Sequence, residues 1–148
     1  MSILSRFISP KNLAYMGLIP FLTCLLLICF KIHSIPLLGE PKHVLNLYGL
    51  IIASFISGAH WGQHLSQQRK WGNILPILSN LNVMLLFFLT LTLPNHFKFM
   101  ALILSFLLSI FIDRKLFQSR LITPVYFKTR TIITVLVIIM IVVSGLLP

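Results

Sequence analysis

Residues Val44–Leu65 read VLNLYGLIIASFISGAHWGQHL, 22 positions without a Lys, Arg, Asp or Glu. An α-helix needs about 20 mostly apolar residues to cross a bilayer, so this run reads as a membrane span. Gln67, Gln68, Arg69 and Lys70 close it. Four comparable runs accompany it. Asn12–Phe30 ends at Lys31, His33 and Pro36, and Trp71–Leu93 ends at Pro94-Asn95. Asn95–Ile112 is interrupted by Lys98 alone, which can snorkel outward, and Thr131–Leu147 is the last. Together they predict helices over about 12–31, 43–66, 72–93, 95–113 and 129–147. Alternating strand patterns are absent, which argues against a barrel. The expected fold is an all-α bundle of five transmembrane helices, one transmembrane domain over residues 1–148.

Composition points the same way. The chain is 57% hydrophobic and 9% charged, with a mean hydropathy of +0.98. A soluble domain carries about a quarter charged residues, so this chain lacks the polar surface that water demands. The net charge of +10 could suggest nucleic acid, but the basic residues are scattered between apolar runs and form no reading module. The lipid bilayer is the expected partner, and nucleic acid is not. Alternate segments carry nine Lys and Arg on the N-terminal side and three on the other. The excess of basic residues marks the cytoplasmic side, so the N-terminus is expected inside and the C-terminus outside. That fits a multi-pass protein of a bacterial inner (cytoplasmic) membrane, with the mitochondrial inner membrane as the alternative. The first run is long for a signal-peptide core and lacks a small-residue cleavage site. Cys24 and Cys29 read as apolar thiols. The Asp113–Lys128 connection holds an amphipathic piece (Leu116, Phe117, Leu121, Ile122), expected along the inner interface.

The second run also holds most of the polar chemistry. Ser54, Gly58 and Gly62 recur every four residues, a small-residue stripe that lets another helix approach closely; helix packing is its expected role. Ala53, Ser57, His60 and His64 lie on a different face. His60 and His64 share the spacing of helical metal pairs, yet no Cys or carboxylate accompanies them there, so neither metal nor cofactor is expected. Enzyme signatures fail one by one. There is no nucleophile elbow, no phosphate loop and no carboxylate pair, since Glu40 and Asp113 are the only acids. A rhomboid-like pairing of Ser57 or Ser109 with His60 lacks an activating turn. Catalytic residues are therefore not assigned. The fourth run places Ser105, Ser109 and Asp113 on one face, and the fifth places Arg130 and Thr134 likewise. Charged groups at membrane depth generally pair or face a cavity. His60, Ser109, Asp113, Tyr126 and Arg130 are thus the candidate polar cluster, centred on a bridge between Asp113 and Arg130.

Several of these segments recur together elsewhere. They are Gly17-Leu18-Ile19-Pro20-Phe21, Tyr48-Gly49, Ser54 through Gly62 with its Gly-x-His-Trp-Gly core, Asp113-Arg114, and Tyr126 with Arg130 and Thr134. The set resembles the transmembrane-protein-69-like family, a domain of unknown function found in bacteria and mitochondria. Ser57 stands where that family usually has glycine, and Val125 where it has tryptophan. The resemblance implies the membrane fold and no reaction. Minimal loops and the small-residue stripe favour a non-enzymatic packing, assembly or scaffold component, alone as a homo-oligomer or with other membrane proteins. The alternative is a small oligomeric transporter or channel using the polar seam of the second, fourth and fifth helices.

Overall fold

The computed structural model describes residues 10–66 and 74–147, with side chains over 11–63 and 74–147. The expected start of the third span at residue 72, the Arg69-Lys70 loop and the His64 side chain lie outside these residues. Among the described residues, five segments are long and apolar enough to cross a membrane. The chain is a multi-pass membrane protein by that measure. Helices α1 (Pro10–Met16) and α2 (Ile19–Cys29) share the first segment. The others are α3 (Pro41–Ser66), α4 (Ile74–Thr92), α5 (Asn95–Gln118) and α6 (Pro124–Leu146).

The first span is broken, where an unbroken helix was expected. Pro20 has no N–H to offer the Met16 carbonyl four residues back, and its ring crowds that carbonyl. The chain turns at Gly17-Leu18, and the Gly17 carbonyl takes the Tyr48 hydroxyl instead, 3.1 Å away. Phe21 then packs edge-on against Tyr48, with centroids 5.0 Å apart, and against Phe106 at 6.4 Å.

Helix α3 lies at the centre, in contact with α2, α4 and α5, while α6 closes the bundle against α1, α2 and α5. Its inward residues include Leu45, Ala53 and Ile56, which join Phe21, Leu102, Phe106 and Ile141 in the main core. Among the described glycines the tightest surroundings are at Gly49. A Cβ placed there would stand 2.4 Å from Leu102 Cδ2 on α5.

A second correction concerns the last connection. Helix α5 runs on to Gln118 and α6 starts at Pro124, so the expected long loop shrinks to residues 119–123. Charge marks where lipid ends, and a helix has no reason to end there too. Thr123 caps α6 by accepting from the Tyr126 N–H at 3.3 Å, and Pro124 takes the first helical position, where no N–H is required. The amphipathic piece expected at the interface packs inward instead. Leu116 is buried with Leu75 and Ile112, and Leu121 and Ile122 cover that small core. Phe117 and Phe127 stack at 4.8 Å across the turn. Helices α2 and α5 end alike, with Lys31 and Arg120 at positive φ of 55° and 58°. In each, the next N–H reaches back five residues, Ile32 to Leu27 and Leu121 to Leu116, both at 2.9 Å. That geometry usually takes glycine; here a basic side chain stands at the negative end of the helix dipole.

Candidate functional site

One carboxylate joins three helices. Asp113, on the last turns of α5, is 1% exposed. Its Oδ1 lies 3.0 Å from His60 Nε2 on α3. Its Oδ2 accepts from Arg130 Nε on α6 at 3.1 Å. Arg130 Nη2 is also 3.1 Å from Oδ2, without the alignment needed to donate to it. An ionised carboxylate only accepts hydrogen bonds, so the facing imidazole nitrogen carries the proton. Both carboxylate oxygens are thereby engaged.

On the α3 and α5 side the cluster is buried. His60 is 1% exposed, and Ser57 on α3 and Ser105 and Ser109 on α5 are buried as well. The guanidinium of Arg130 sits over the Tyr126 ring, 5.9 Å from its centroid. The Tyr126 side chain in turn hydrogen-bonds with that of Gln63 on α3. The cluster therefore joins α3, α5 and α6 through Asp113, and α3 to α6 a second time through Tyr126 and Gln63.

Of the five residues of the expected cluster, the structure brings four together. His60, Asp113 and Arg130 are in direct contact, and Tyr126 flanks them. Ser109 stands apart. It lies one turn from Asp113, but its hydroxyl donates to the Ser105 carbonyl at 3.0 Å, the local back-bond a helical serine makes when no better partner is aimed at it.

The small-residue stripe needs correction. Ser54, Gly58 and Gly62 are exposed on α3 and, among the described residues, pack against no other helix. A Cβ at Gly58 or at Gly62 would meet nothing within 4 Å, and Ser54 is exposed, donating to the Leu50 carbonyl at 3.0 Å. The neighbouring face, with Ala53, Ser57 and His60, is the buried one. Close packing inside the chain falls instead to Gly49. Spacing alone ranks Gly58 and Gly62 above Gly49 because they repeat, but the helix presents only one of its faces to α5.

Two contributors escaped the sequence reading. Gln63 supports Tyr126, and Asn80 on α4 accepts from Trp61 Nε1 at 3.2 Å. Each is an amide within or beside an apolar run, where a polar group needs a partner; that scarcity is the signal that could have found them. Among the described residues no group of three or more His, Cys, Asp or Glu could hold a metal ion.

Gly58, His60, Trp61 and Gly62 thus divide between two surfaces, one turned to the ion pair and one turned outward. A family model described as a protein of unknown function, DUF3429, matches residues 8–146. The chain belongs to the DUF3429 family. No curated protein and no solved structure matches it. The DUF3429 match spans every helix described above, so the ion-pair cluster and the outward stripe both lie within the family domain.

Proposed function

We propose that this DUF3429 protein is a non-enzymatic assembly or scaffold component of its membrane. The observation that carries it is the engagement of both Asp113 oxygens by His60 and Arg130 in a buried seam. Those groups are spent on holding three helices together. A carboxylate that itself binds a substrate or a transported ion needs a free oxygen and access, and Asp113, 1% exposed with both oxygens engaged, has neither. The outward stripe then becomes the docking face, because small residues let a second membrane helix approach closely. A second copy or another membrane protein can seat there.

This reading predicts that Gly58→Leu leaves the fold intact and weakens assembly. The added Cβ meets no atom of the described residues within 4 Å, but the side chain would overpack a docked helix, which typically costs about 1–3 kcal/mol. The check uses the Cys24→Ser, Cys29→Ser background with Ser54→Cys, exposed on the same stripe, as the crosslinking reporter. Crosslinking and copurification in mild detergent should fall for Gly58→Leu while the unfolding temperature stays within a degree or two of the parent. Unchanged copurification and oligomeric state would mean that the stripe faces only lipid.

The excess of basic residues supports an orientation with the N-terminus and the Asp113–Arg130 end in the cytoplasm of a bacterium. A reporter active only outside the cytoplasm should be active when fused after Pro148 and silent within Gln118–Thr123. The opposite pattern would overturn the orientation.

A further inference from the structure

Two cavities meet beside the ion pair, sharing Ala14 and Arg130 in their walls. The larger, about 340 Å³, has a mainly apolar wall into which Lys11, Thr123, Tyr126, Thr129 and Arg130 bring polar groups. The smaller, about 140 Å³, continues between α1, α2, α3 and α6 and is lined chiefly by apolar groups such as Leu13, Phe21, Phe55, Ile133 and Val137. We infer that the pair forms a binding site for an anionic phospholipid, its phosphate against Lys11, Thr123 and Arg130 in the larger chamber and part of one acyl chain along the smaller.

The chemistry of each chamber argues for this occupant. Lys11 and Arg130 supply two cations, and no carboxylate lines either wall among the described residues. Asp113 offsets part of the Arg130 charge from behind, while Lys11 is exposed. The Thr123 oxygen accepts from a backbone N–H, which leaves its hydroxyl hydrogen available to a phosphate oxygen. Apart from Arg130 and Thr134 the smaller chamber is lined by apolar groups, which suits a segment of acyl chain. Leu13 and Phe55, 62% and 74% exposed, stand at its rim, so a lipid chain can enter sideways. A second copy of this chain is a poor occupant, because it brings a charge of +10 to a cationic chamber. The shared Arg130 couples the site to the Asp113 cluster, so an occupant would press on the contact that joins α5 to α6.

The test uses the full chain, delipidated in mild detergent, then placed in nanodiscs of phosphatidylcholine alone or mixed with phosphatidylglycerol. Native mass spectrometry should find one phosphatidylglycerol retained per chain in preference to phosphatidylcholine. Lys11→Gln should weaken retention about fivefold, the effect of one basic residue at an anionic surface. Ala14→Phe, which fills the wall common to both chambers, should abolish it, and Lys31→Gln at the far end of α2 should do nothing. Unfolding of the lipid-free variants should match the parent. If Ala14→Phe does not fold, the exposed Lys11→Gln still decides the matter. Equal retention of the two lipids, wild-type retention by Lys11→Gln, or displacement of the lipid by millimolar inorganic phosphate would each overturn the proposal, the last by identifying a free-phosphate site. None of these readouts depends on whether the chain assembles with a partner.

Discussion

Asp113→Leu is expected to destabilise the bundle by about 3–5 kcal/mol, the loss typical when one partner of a buried ion pair is removed. The substitution strands two donors at once. His60, 1% exposed, loses its acceptor 3.0 Å away, and Arg130 loses the oxygen that balances its charge. The Arg130 side chain keeps 16% of its surface exposed, so it can turn toward the interface and hold the cost near the lower figure. Thermal unfolding in detergent and steady-state accumulation in membranes measure the loss. Exchanging the partners, Asp113→Arg with Arg130→Asp, should recover more than half of the accumulation lost by the worse single variant. Recovery will stay incomplete because His60 then faces a guanidinium in place of a carboxylate. An Asp113→Leu protein that melts with the wild type, or an exchange no better than the single variants, would remove the cluster as the clasp of α3, α5 and α6.

Gly49→Leu should destabilise the fold by at least the 1–3 kcal/mol or so typical of overpacking. Even the first added carbon would stand 2.4 and 2.9 Å from the two methyl groups of Leu102. Leu102 is 1% exposed and enclosed by the main core, so it has nowhere to retreat without moving α5 from α3. The paired variant Gly49→Leu with Leu102→Ala opens that space and should recover part of the stability. Gly58→Leu, on the outward face of the same helix, should not lower stability. The contrast between two identical substitutions nine positions apart separates packing from helix propensity, which penalises or favours both alike. Equal unfolding temperatures for Gly49→Leu and the parent would mean that α3 and α5 do not approach closely there.

Where the sequence reading and the structure diverge, the reason is geometric. Span counting worked because each crossing needs its own apolar run, and that requirement is local. Span ends were less legible, since hydropathy records lipid contact and helices continue past it. The ends of α5 and α6 follow Arg120 and the Thr123-Pro124 cap, cues of backbone geometry and capping. The break at Gly17-Leu18 was written in Pro20, but an apolar run conceals it. Within the site, Asp113 and Arg130 could be paired from sequence because acids are so scarce that nearby cations share few acceptors. Ser109 could not be excluded, as its face is right and only the three-dimensional aim of its hydroxyl is wrong.

From sequence alone come the membrane as solvent, five spans, and a short roster of polar residues that must find partners inside an apolar medium. These follow from one-dimensional quantities: run length, charge and the scarcity of acceptors. Which face of α3 is buried came only with the tertiary structure. Two faces of that helix carry small or polar residues, and either could satisfy the periodicity. Gly49 against Leu102 and His60 against Asp113 select one of them, and Ser54, Gly58 and Gly62 are left on the outside. Periodicity says which residues share a face, but only the neighbouring helices determine which face is covered.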